Sequence, residues 1–208
     1  MASAQSAGNT VLTPAQTLMW IEGQLHPEVP VNNMVTRLDI KAALDVSAFK
    51  QAFARLVTGH DAMRMVVSHS GGRFVATVTE TAHPDLPFID FSGKAAAGRE
   101  FDAWIQRACR RVFGFDEQLH EAALIKLGER DFVFFMNQHH CVTDGRSCQV
   151  MLTELDRFYR DATGGGRVDE AAENVACRNF GEYLRLRSDY LRSEQARASE
   201  AYWSRGFE

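Results

Sequence analysis

The segment His139-His140-Cys141-Val142-Thr143-Asp144-Gly145 sets two imidazoles, a carboxylate and a glycine within seven residues. These residue types suit proton transfer: an imidazole exchanges protons near neutral pH, a carboxylate can fix a loop, and a glycine lets backbone approach a substrate closely. On an extended chain neighbouring side chains point to opposite faces, so one imidazole addresses the chemistry and the other the core. The same geometry disfavours a metal centre, because adjacent histidines on a strand chelate poorly and Cys141 completes no usual zinc spacing. A structural alternative stays open on the residues alone, in which both histidines are hydrogen-bonded in a turn capped by Asp144 and Gly145.

A reactive imidazole has to be held, and the chain before it supplies the anchor. Phe132 to Met136 is apolar at every position, the pattern of a strand buried on both faces, and it delivers the chain to His139. Ala123 to Leu127, the turn Gly128-Glu129-Arg130 and this strand read as a hairpin. Met63, Met65 and Val67, then Ser70-Gly71-Gly72, then Phe74, Ala76 and Val78 read as another. Met34, Thr36, Leu38 and Ile40 alternate with Val35, Arg37 and Asp39, which predicts a further strand.

Helices separate these strands. Thr13-Pro14-Ala15-Gln16 combines a hydroxyl cap, a proline suited to the first helical position and a glutamine three residues after the cap. Phe49, Phe53 and Leu56 recur at helical spacing between Ser47 and Gly59, and Phe101, Trp104, Ile105, Ala108 and Val112 mark a long amphipathic helix. Val150, Met151, Leu155 and Phe158 describe a helix ending before Gly164-Gly165-Gly166, and Phe180 to Trp203 reads as a last one. Hairpins require antiparallel pairs, so the expectation is an α+β fold, an α/β sandwich with a mixed β-sheet covered by helices. A doubly wound nucleotide fold is disfavoured, and no glycine-rich phosphate loop is present.

Composition sets the outer limits. The 208 residues are 45% hydrophobic and 24% charged, as in ordinary soluble globular proteins, and no linker divides them. A net charge of -4 gives no general attraction to nucleic acid or anionic membranes. Met1 to Thr10 lacks the basic start and apolar run of a secretory signal, and no stretch approaches the roughly 18 apolar residues of a membrane span. Cys109, Cys141, Cys148 and Cys177 match neither metal pairs nor a secreted disulfide framework, which suggests small apolar fillers in a reducing cytoplasm.

His139-His140-x-x-x-Asp144-Gly145 resembles the HHxxxDG motif of condensation domains, relatives of chloramphenicol acetyltransferase. Thr13 to Trp20 resembles the opening SxAQxRMW motif, with Thr13 and Thr17 in place of its Ser and Arg. Gly59-His60-Asp61-Ala62-Met63-Arg64 resembles RHExLR, with Gly59 and Asp61 in place of its first Arg and its Glu. Ala201-Tyr202-Trp203 resembles the AYW that closes the family's N-terminal lobe. The resemblance implies a chloramphenicol acetyltransferase-like lobe over residues 13–208 after a flexible N-terminus at 1–12, with the C-terminal lobe absent. A single-lobed acetyltransferase fits less well, because there the histidine motif lies close to the C-terminus.

The activity so implied is amide-bond formation in nonribosomal peptide synthesis, between an acyl thioester and an amine presented on phosphopantetheine arms of carrier domains. No cofactor is bound directly. His140 is the implied catalytic imidazole, with His139 and Gly145 beside it, and Gly145 offers its N–H to the oxyanion. Asp144 and Arg64 are the implied structural ion pair. His60 is read as a packing or capping residue, and His26, His69, His83 and His120 as exposed. An ester-forming or acetyl-transferring relative, an epimerisation domain and a non-catalytic docking lobe share the motif; a heterocyclising variant would carry Asp where these histidines stand.

Overall fold

The alternating and helical patterns condense into a layered arrangement in the computed structural model, which describes residues 10–70, 73–79, 84–94, 96–114, 116–165 and 180–206. Residues 1–169 and 170–208 form two separate units. In chain order the first contains β1 (Thr10–Val11), α1 (Pro14–Leu25), β2 (Asn33–Ile40), α2 (Val46–Gly59), a 3-10 turn (Asp61–Arg64), β3 (Met65–Ser70), β4 (Arg73–Val78), β5 (Phe88–Asp90), α3 (Ala97–Cys109), β6 (His120–Gly128), β7 (Asp131–His139) and α4 (Gly145–Ala162). The second contains α5 (Phe180–Arg192) and α6 (Glu194–Arg205).

The main sheet has the order β2-β7-β6-β5. Strand β7 is antiparallel to both neighbours, whereas β5 runs parallel to β6. A smaller sheet has the order β1-β4-β3. The pleat of β7 divides its side chains between two helical layers. Phe132, Phe134 and Met136 join Phe49, Phe53 and Leu56 of α2 and Met151, Leu155 and Phe158 of α4. Val133 and Phe135 join Phe101 and Ala108 of α3 on the opposite face, where Trp104 meets Phe135 edge-on. The mixed sheet covered by helices is thus present, with a core on each side.

Several boundaries differ from the sequence reading. The start at 1–12 is not flexible throughout: Thr10–Val11 pairs with β4 and Leu12 is buried, while residues 1–9 lie outside the described part. Met63 belongs to the 3-10 turn, and buries itself there without a strand's alternation. Helix α3 ends at Cys109, so Val112 is exposed. The predicted last helix breaks at Ser193, whose Oγ accepts from Ala196 N–H and caps α6. Strands β1 and β5 are too short to show a period.

His26 and His69 are exposed as expected, and His83 lies outside the described residues. His120 is not exposed. Burial, with the Arg111 charge beside it, pushes its pKa down to about 4, against a bond with the Met63 backbone that raises it. Cys109, Cys141 and Cys148 are free thiols; burial raises that of Cys141 to about 12, as suits an inert filler, and Cys177 lies outside the described residues.

Because Phe134 is fully buried between α2 and β6, truncation leaves a cavity that rigid neighbours cannot close. Phe134→Ala is expected to cost about 3–5 kcal/mol in urea unfolding, against under about 0.5 kcal/mol for Ala at exposed Glu129.

Candidate active site

The loop after β7 is built from backbone held on both sides. His139 N–H donates to Leu119 O at 2.9 Å, and His140 N–H donates to Asn32 O at 2.7 Å. Consecutive residues therefore bond to opposite neighbours, as an antiparallel strand requires. Val142 N–H then donates to His139 O at 3.0 Å and closes a tight turn.

Helix α1 secures that turn from a distance. Thr13 and Gln16 form the capping box expected from sequence, with Thr13 N–H donating to Gln16 Oε1 at 3.0 Å and Gln16 N–H donating to Thr13 Oγ1 at 3.3 Å. Gln16, only 7% exposed, also donates from Nε2 to Cys141 O at 2.9 Å. Sequence reading identified the cap and missed this second bond, because nothing local relates residues 125 positions apart.

The two imidazoles have opposite surroundings. His139 is 6% exposed and its Nδ1 accepts from Cys141 N–H at 3.1 Å, so in the neutral ring the proton sits on Nε2. Burial pushes its pKa down to about 4, the charge of His140 adds to that, and Glu22 opposes it. His140 is exposed, and its Nδ1 lies 2.7 Å from Thr143 O. A carbonyl oxygen only accepts, so this Nδ1 carries the proton and the neutral ring presents the Nε2 lone pair.

Asp144 and Gly145 open helix α4. Asp144 is its N-cap: Oδ1 accepts from Ser147 N–H at 2.7 Å and from Ser147 Oγ at 2.7 Å. These bonds, together with smaller contributions from Arg146 N–H and the His140 charge, hold the carboxyl below its ordinary pKa. The implied Asp144–Arg64 ion pair is not formed. Arg64 ends the 3-10 turn, from where it reaches Asp61 Oδ1 at 2.8 Å and Thr79 O at 3.0 Å. Its charge is thereby compensated three residues away, and that of Asp144 by the start of a helix. A side-chain carbon at Gly145 would meet nothing within 4 Å, so the space at this position is open and packing does not require a glycine there.

His60 is a helix-end residue, with Nδ1 2.8 Å from Leu56 O and Nε2 3.1 Å from Glu154 Oε2. A recess of about 210 Å3 opens between the end of α1, residues 29–33 and residues 112–114, with His139 in its wall and His140 outside it.

Two stability predictions come from this geometry. Asp144→Ala removes an exposed helix cap and is expected to lower stability by about 1 kcal/mol, not the roughly 3–5 kcal/mol of a broken buried pair, with Asp144→Ser recovering most of it in thermal melts. His139 and His120 are neutral when folded near pH 5, whereas an unfolded imidazole protonates below about 6.5. Both folded pKa values are depressed, so stability is full above about pH 6.5 and is lost as pH falls toward about 4. The slope is at most about 1.4 kcal/mol per pH unit for each ring. Melts from pH 7.5 to 4 check this, and His120→Asn is expected to roughly halve the slope.

The condensation domain model matches residues 6–208. A linear gramicidin synthase polypeptide of Brevibacillus parabrevis is 27% identical over 197 residues, covering 92% of this chain and 2% of that protein. Surfactin synthase subunit 1 of Bacillus subtilis (strain 168) is 22% identical over 201 residues, covering 95% of this chain and 6% of that protein. Among solved structures, the starter condensation domain of rhizomide synthetase RzmA superposes with a TM-score of 0.86 at 21% identity, covering 96% of this chain and 50% of that one. The first condensation domain of the calcium-dependent antibiotic synthetase, in complex with a substrate analogue, gives 0.79 at 24% identity, covering 96% and 47%. The chain thus spans a small fraction of these synthetases and about half of each solved domain. With the family model matched over nearly its whole length, on a fold that carries the His139–Gly145 turn at a strand end, this chain belongs to the condensation domain family.

Proposed function

We propose that this chain contributes the histidine-bearing half of an acyltransferase that forms an amide between a carrier-bound acyl thioester and an amine, as in nonribosomal peptide synthesis. The observation that carries the reading is the pair of tautomers at the end of β7, in which the exposed His140 offers a lone pair at Nε2 while its Nδ1–H is fixed to Thr143 O.

In this reading the amine nitrogen attacks the thioester carbonyl, and His140 Nε2 accepts or positions the amine proton. Collapse of the tetrahedral species breaks the C–S bond, and the thiolate takes up the proton, so the products are an amide and a free thiol. The N–H of Gly145 lies at the N-terminus of α4, where unpaired helix donors and the helix dipole favour a developing oxyanion. The open space at Gly145 supports that role, since a side chain would occupy it. His139 positions the turn through its bond to Cys141 N–H and touches no reacting atom.

The substrates are read as phosphopantetheine thioesters on carrier domains, and the setting as the cytoplasm. No helix among the described residues is long and apolar enough to cross a membrane. In this reading an ester-forming relative differs by using a hydroxyl nucleophile, whereas an epimerisation domain removes and returns the Cα proton of a carrier-bound aminoacyl group and transfers no acyl group.

The test is a single-turnover assay with loaded donor and acceptor carrier proteins, comparing this chain with a two-lobed protein that contains it. The two-lobed protein is expected to form amide, and the isolated chain is expected to be slower by orders of magnitude, because alignment of two tethered substrates is worth at least as much as the imidazole. His140→Ala in the two-lobed protein is expected to lose about 10²- to 10⁴-fold. Gly145→Ala is expected to keep the melting temperature and lose rate. Unimpaired turnover by His140→Ala overturns the assignment.

A further inference from the structure

Strand β2 is the edge of the main sheet on the side away from β5, and it runs for eight residues without a proline or a break in register against β7. Its outward backbone groups follow from alternation. Leu124 N–H donates to Pro87 O on the β5 side and His139 N–H donates to Leu119 O. The odd-numbered residues of β7 therefore face β6 and the even-numbered ones face β2. In register, the even residues of β2 bond to β7, and Val35, Arg37 and Asp39 turn their N–H and C=O groups outward. Among the described residues no strand pairs with them. Val35 is 43% and Leu38 38% exposed, so the edge is also apolar in part. An unpaired edge of this length pairs readily with another strand.

The side chains restrict which strand fits. Arg37 and Asp39 stand two apart on one face with opposite charge, bonded to each other at 2.7 Å and both exposed. We propose that this edge is a self-association surface, on which β2 of a second copy pairs antiparallel about a two-fold axis at Leu38. Outward groups must meet outward groups, so odd residues pair with odd. An axis at Arg37 sets Arg37 against Arg37, which like-charge repulsion disfavours. An axis at Leu38 sets each Arg37 opposite the second copy's Asp39, Val35 opposite Lys41, and Leu38 against Leu38 on the other face. The two sheets then become one continuous sheet of eight strands, with four alternating charges at the join. This surface is independent of the reaction proposed for His140.

Sedimentation velocity on the 208-residue chain over a concentration series tests it. A concentration-dependent dimer is expected. Arg37→Asp and Asp39→Arg each place like charges opposite one another, and each is expected to weaken dimerisation by about tenfold or more. The double exchange R37D/D39R restores unlike pairs and is expected to return the dimer to within about threefold of the original. Circular dichroism melts establish that each variant is folded. Leu38→Cys supplies a second measurement, because a pair at the axis lies about 4.5 Å apart at Cα, within disulfide reach, and is expected to cross-link on oxidation where the parent chain does not. A strictly monomeric chain, a dimer indifferent to single charge reversal, a double exchange that fails to restore it, or a Leu38→Cys chain that does not cross-link overturns the proposal.

Discussion

Strand β7 is paired along both edges and covered on both faces, and the geometry of the site descends from that double constraint. Each of its apolar side chains from Phe132 to Met136 is buried, a contribution of about 1.5–3 kcal/mol per residue before entropy is counted. A strand so enclosed cannot slip by one residue, because the slip would exchange the contents of two cores of different shape. Its last residue is therefore fixed in orientation. With the register so fixed, the pleat sends His139 into the protein and His140 out of it.

Enclosure also separates the chemistry of two identical side chains. The buried ring has its Nδ1 lone pair occupied by Cys141 N–H and is held neutral by burial, while the exposed ring has its Nδ1 proton occupied by Thr143 O. One imidazole thus becomes part of the frame, while the other stands exposed with Nδ1 held by Thr143 O. Gln16 and Asp144 hold the turn between them from two helices, one ending its side chain on Cys141 O and the other starting α4. Neither contact needs a charged pair across the site. Arg64, the partner expected for Asp144, is instead paired with Asp61 within the 3-10 turn.

The same sheet that seals β7 leaves β2 unsealed. A central strand gains from burial what an edge strand must gain from a partner, and β2 combines outward backbone groups with exposed Val35 and Leu38. Relatives of solved structure are about twice as long as this chain.

What the sequence determined by itself was local. The unbroken apolar run at Phe132–Met136, the period-two alternation of β2, the cap at Thr13 and the HHxxxDG spacing are all readable because each is set by neighbours within a few residues. They suffice to place a histidine pair at the end of a buried strand in a mixed sheet. Tertiary structure alone decided which imidazole is exposed, which nitrogen each ring protonates, and that Gln16 reaches Cys141. It also decided that Asp144 caps a helix where a pairing with Arg64 was expected, and that His120 is buried. Burial and the Gln16–Cys141 bond depend on contacts between residues tens to more than a hundred positions apart. The two tautomers and the Asp144 cap rest on bonds two or three positions away, whose partners are decided by the turn conformation that those distant contacts hold.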